Sequence, residues 1–200
     1  MEKVSINKEM HLSEHITLGE VTKTSHETAD GNIPSHVAIE NLKNLCENWL
    51  EDLRYSYNTL YPTCHLDQAK RVERSLDYAR DDNGGARDDK EGDARDDNGG
   101  GRDDKGEEPI IITSGYRSAE VNKVVGGAPT SNHLTGCAVD IRCEGFEQAL
   151  RYANILLDIA DGTKRDYDEL FIERSKQGRY WIHFAVRPKE NRRKTAFIQT

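Results

Sequence analysis

Two hundred residues carrying a net charge of −8 and only 35% apolar side chains suit one acidic domain with a single core. The polarity is concentrated. From Ala79 to Glu108, nine Asp and three Glu oppose four Arg and two Lys, which accounts for six of the eight net negative charges. The near-neutral remainder excludes a general electrostatic pull on nucleic acid or an anionic membrane, and no stretch is long and apolar enough to span a bilayer.

The N-terminus, Met1-Glu2-Lys3-Val4-Ser5-Ile6-Asn7-Lys8, lacks the apolar run of a signal peptide, so a cytoplasmic product is expected. Leu12 to Ser25 reads as a short helical element, with Thr17 and Glu20 at capping-box spacing. His11, His15, His26 and His36 have no matched carboxylate at a familiar ligand spacing and are expected at or near the surface. After Pro34-Ser35, the residues Leu42, Leu45, Cys46, Trp49, Leu50 and Leu53 recur at three- and four-residue steps, which predicts an amphipathic helix with Trp49 in the core.

Four related blocks, ARDDNGG, ARDDKEGD, ARDDNGG and GRDDKGE, then follow within Ala79 to Glu107. They offer nothing to bury, so a disordered insertion is expected, interrupting one domain rather than separating two. Their Asp-Asp-Asn-Gly units lack EF-hand spacing, and the Arg in each block opposes a cation. Ile110 to Thr113 reads as a buried strand, and Ser118 as the cap of a short helix that Gly126-Gly127 ends. Ala138 to Arg142 is a predicted strand, followed by an amphipathic helix from Phe146 to Ala160 that Asp161-Gly162 stops. Leu170 to Arg174 and Tyr180 to Val186 form a predicted hairpin, and the basic stretch from Arg187 to Lys194 is expected as a solvated tail. Cys46, Cys64, Cys137 and Cys143 form no CxxC pair and are expected as reduced, mostly buried thiols. Helices without regular βαβ alternation predict an α+β domain with a small, largely antiparallel sheet.

One constellation carries chemistry. His133 and Asp140 stand in Ser131-Asn132-His133-Leu134-Thr135-Gly136-Cys137-Ala138-Val139-Asp140, and His183 follows in Trp181-Ile182-His183. Two imidazoles and one carboxylate form a zinc ligand set that leaves a position open for water. On a strand, Ala138, Asp140 and Arg142 share one face and Cys137, Val139 and Cys143 the other, which disfavours cysteine as a ligand. Gly136 and Ala138 are small where the backbone is expected to pass close to a bound ion or substrate. Glu173 is the best-placed carboxylate to act as a base, and Arg117 can clamp a substrate carboxylate. His-x6-Asp is also compatible with a plain buried histidine–carboxylate hydrogen bond.

The pattern SxHxxGxAxD, met by Ser131, His133, Gly136, Ala138 and Asp140, and the later WxH, met by Trp181 and His183, resemble the zinc D-Ala-D-Ala carboxypeptidase family of peptidoglycan peptidases. That family includes dipeptidases and phage endolysins and shares its zinc-site fold with the hedgehog signalling domain. The resemblance covers most of the chain apart from roughly Asn58 to Glu108. It implies zinc held by His133, Asp140 and His183, with Arg117 and Ser131 contacting substrate and Arg117 also stabilising an oxyanion. It further implies hydrolysis of D-amino-acid-containing peptide bonds of peptidoglycan, or alternatively a catalytically silent, zinc-stabilised binding module. Many relatives carry the acidic base three residues before the last ligand, where this chain has Tyr180. Glu173 instead resembles the variant in which a glutamate on the preceding strand does that work. Peptidoglycan lies outside the membrane, and either release of the protein to the cell wall, as in phage lysis, or action as a cytoplasmic dipeptidase would reconcile substrate with location.

Overall fold

A computed structural model describes residues 7–62 and 107–200. The repeat blocks and Cys64 lie almost wholly outside the described residues. The two described segments meet where the Asn58 side chain donates to the Glu108 carbonyl at 3.1 Å and accepts from its amide at 2.8 Å.

The domain is α+β. The first helix, α1 (Leu18–Val21), is a single turn in which Thr17 and Glu20 close the capping box. Its brevity leaves most of the expected Leu12–Ser25 element as bends and irregular backbone, with Thr17 bridged to His11. Helix α2 (His36–Leu45), capped by Ser35, runs through a π turn (Cys46–Leu50) into α3 (Glu51–Leu60). All six predicted apolar positions of this helix are buried to 1% exposure or less. Helix α4 (Ala119–Val124) starts at Ser118, and α5 (Phe146–Thr163) continues through Asp161-Gly162 to a left-handed Lys164. The predicted stop there fails because two unfavourable residues at the end of an eighteen-residue helix cost little against its buried face.

Five strands, β1 (Ile112–Ser114), β2 (Ala138–Cys143), β3 (Glu169–Arg174), β4 (Tyr180–Ala185) and β5 (Lys194–Gln199), form one sheet in the order β1-β2-β4-β3-β5. Every pairing is antiparallel except β3 with β5. Strand β1 is an edge strand that starts only at Ile112, with Thr113 exposed and the preceding Ile111 47% exposed, not the buried strand expected. The basic stretch is no free tail: Arg193 bridges Asp161 and Asp166, and Lys194 opens β5.

One sheet face carries Val139, Ile141, Leu170, Ile182 and Phe184 into the core with Leu42, Trp49, Leu53 and Leu156. The Trp49 and Phe184 rings meet at 5.1 Å. Each such side chain contributes about 1.5–3 kcal/mol by leaving water. Cys46, Cys137 and Cys143 are free and buried, and burial pushes the Cys143 thiol up to about 12. His11, His15, His26 and His36 are exposed, as expected. Among the described residues, no helix is long and apolar enough to cross a membrane.

Candidate metal centre

The other sheet face is polar, and alternation along three strands builds it. Asp140 on β2, His183 on β4 and Phe171 on β3 are register partners and form one cross-strand row. The next row is Arg142, Trp181 and Glu173. Residues two apart on a strand share a face, so both rows face the same way. His133 joins them from a single 3-10 turn (Asn132–Thr135) capped by Ser131, whose Oγ accepts from the His133 N–H at 3.4 Å. That turn ends on Gly136 at φ +70°, where a Cβ would come within 2.3 Å of the Ala38 carbonyl. The glycine is therefore required by close approach to α2 and not, as expected from sequence, by approach to an ion or substrate.

His133, Asp140 and His183 bring ligand atoms within 4.8 Å of one another. His133 Nε2 lies 3.3 Å from Asp140 Oδ1 and 3.3 Å from His183 Nδ1, while Asp140 Oδ1 and His183 Nδ1 are 2.9 Å apart. A tetrahedral zinc site with bonds of about 2.0–2.1 Å has ligand atoms roughly 3.3 Å apart, so this triangle fits such an ion. The far ring atoms are also committed. His133 Nδ1 donates to the Gly115 carbonyl at 2.6 Å, which leaves the Nε2 lone pair facing the centre. His183 Nε2 lies 3.5 Å from Glu169 Oε2 on its far side, and the Phe171 ring stacks on His183 at 5.6 Å.

Arg117 pairs through Nη2 with Asp140 Oδ2 and through Nε with Ser114 Oγ at 2.8 Å. The loop carrying it is anchored by buried Asn32, whose amide nitrogen donates to the carbonyls of Thr22 and Tyr116 and whose oxygen accepts from Ser118. Gly115 fits there because a Cβ would stand 2.3 Å from the Val21 carbonyl.

The charges of this centre are set by each other. Burial raises the Asp140 carboxyl, but the adjoining His133 and His183 outweigh it and hold it below the usual carboxylate range. Burial opposes protonation of His183, yet Asp140 and Glu169 lift it to about 9 in the metal-free protein. Glu173 is shifted upward, first by burial and then by the Asp140 charge, with His183 and Arg117 offsetting only part. Glu173, Arg117 and Ser131 line one cleft of about 530 Å³ with His133, Asp140 and His183.

Sequence reasoning missed what holds His183 and Glu169 in place. Asn132 Nδ2 donates to both Asp168 Oδ2 (2.9 Å) and Glu169 Oε2 (3.0 Å). Arg192, from the expected solvated tail, forks onto Asp168 through Nε (2.7 Å) and Nη2 (2.5 Å) and reaches Glu169 Oε1 at 2.7 Å. The four-residue offset between Glu169 and Glu173 was a usable signal, since it places both on one strand face, flanking Phe171. Nothing local marked Arg192.

Two histidines and one aspartate on the polar face of an α+β sheet form a cluster that could hold a metal ion. A sequence model of the family described as Peptidase M15 matches residues 100–164. That segment, 65 of the 200 residues, is similar to the Peptidase M15 family of metal-dependent peptidases. The matched segment contains Arg117, Ser131, His133 and Asp140 and ends before Glu173 and His183, which the fold brings to it. No curated protein matches the chain.

Proposed function

We propose that this chain is a zinc peptidase that hydrolyses D-amino-acid-containing peptide bonds of bacterial peptidoglycan, with His133, Asp140 and His183 as its metal ligands. The observation that carries the reading is the triangle of three donor atoms in one cleft with a half-buried carboxyl and a guanidinium. Zinc held there supplies a Lewis acid that polarises a carbonyl and acidifies water. Glu173 accepts the proton of the attacking water and delivers it to the leaving amine. Its upward shift suits a group that must take a proton and give it back near neutrality. Arg117 orients Asp140 and turns its remaining N–H groups toward the carbonyl oxygen as charge develops. Ser131 caps the turn that carries His133 and faces the substrate from the cleft wall. The repeat insertion interrupts this single domain between α3 and β1, and release to the cell wall brings the enzyme to its substrate.

Purified protein loaded with zinc is expected to cleave D-Ala-D-Ala peptides or intact sacculi, and the absence of cleavage of both would sink the proposal. Glu173→Gln is expected to keep its metal and lose about 10²–10⁴-fold in kcat. Full function with that substitution would favour the silent binding module instead, although a purely structural metal needs neither Glu173 nor Arg117.

A further inference from the structure

A second groove, of about 790 Å³, adjoins the metal cleft and shares Thr113 and Trp181 with it. Each alone falls within the range of small-ligand sites, about 300–1,000 Å³, and together they exceed it. The groove holds two exposed guanidinium groups, Arg142 and Arg179, against one carboxylate, Glu144. Among the described residues, neither arginine side chain has a hydrogen-bond or ion-pair partner, whereas Arg117, which lines the metal cleft, is committed to the Asp140 carboxylate. Arg142 lies one cross-strand row beyond Asp140, on the same face, with Trp181 between it and Glu173. Two strand residues span about 6.6 Å, and an extended peptide advances about 3.3–3.6 Å per residue. A ligand strand leaving the metal centre therefore meets Arg142 about two residues on, and Arg179 on the hairpin turn lies in the same groove.

We infer that the substrate is an extended peptide, not a free dipeptide, and that it places a carboxylate between Arg142 and Arg179 about two or more residues from the bond broken. The guanidinium fork binds a carboxylate bidentately, and among the described residues no other open pair of cations lines either groove. This assignment rests on the peptidase reading above, and the experiment separates the two.

Hexapeptides with a central D-Ala-D-Ala bond are made in pairs, Glu against Gln, with the exchange two residues before or two residues after that bond. Calorimetry on zinc-loaded Glu173→Gln protein measures their binding without turnover. In one of the two pairs the Glu peptide is expected to bind about tenfold or more tightly, as a charge-assisted hydrogen bond warrants. The preference is expected to fall within about twofold in Arg142→Ala/Arg179→Ala. Metal content and circular dichroism report whether that variant is folded, and Arg142→Glu/Arg179→Glu is expected to favour a Lys peptide instead. Equal binding within both pairs, or a preference that survives loss of both arginines, overturns the inference while cleavage by wild-type protein leaves the peptidase reading standing. A preference that depends on both arginines, with wild-type protein that cleaves neither these peptides nor intact sacculi, supports carboxylate recognition and overturns the peptidase reading.

Discussion

The two faces of the sheet are made by the same strands yet live under opposite rules. Ile182 and Phe184 are fully buried against helices, while His183 between them faces a polar cleft. On the apolar face the requirement is volume, and any close-packed hydrophobe of suitable shape satisfies it. On the polar face it is the placement of individual atoms, because each donor or charge must meet one partner. Stability and chemistry are thereby separated by a single residue step, and substitutions on the two faces should fail in different ways.

The largest expected effect is on the polar face. Asp140→Ala, and His133→Ala with it, is expected to lower zinc content from about one per chain to none, measured by mass spectrometry of purified protein. Far-UV circular dichroism should remain that of the folded chain, since the helices pack on the other face. Collapse of the fold in both variants would break the separation. On the apolar face, Phe184→Ala is expected to cost about 3–5 kcal/mol in denaturant unfolding, because it leaves a cavity beneath Trp49. The fraction that stays folded should bind zinc with wild-type stoichiometry, and a lost metal site there would show that the two faces are coupled.

A smaller effect tests the support of His183. Glu169→Ala is expected to weaken zinc affinity about 10–100-fold in competition with a chromophoric chelator, and Glu169→Gln, which keeps an acceptor oxygen, to recover part of it. The gentlest test is pH. His183 holds its proton up to about 9 in the metal-free protein, and a metal must displace that proton. Apparent zinc affinity should therefore rise about tenfold per pH unit from neutrality toward 9 and flatten above it. A flat profile below pH 8 would mean that the ring is already neutral.

The residues of the candidate metal cluster were legible from the chain because residue type and strand alternation act locally. Asp140 falls on the face opposite Val139 by a period of two, and a hairpin ending in Trp-Ile-His offers an imidazole to the neighbouring strand. The helix through Trp49 was legible for the same reason, its apolar residues repeating at the helical period. Strand β5 was not, because Lys194 to Gln199 is short, mostly exposed, and drawn into the sheet by pairing with β3 rather than by its own pattern. Ile110 to Thr113 misled in the other direction, since an apolar β-branched run looks alike at a sheet edge and at its centre.

Sequence alone thus determined the α+β character, the core helix and the identity of the residues around the candidate metal, for these follow from periodicity and side-chain chemistry. Only tertiary structure decided that Glu169 rather than solvent meets His183, that Arg192 returns from the end of the chain to hold Asp168, and that Arg142, without an ion-pair partner among the described residues, stands beside Trp181. Those contacts join residues far apart in the chain, and nothing in the local pattern of either partner encodes a meeting that the packing of the whole sheet creates.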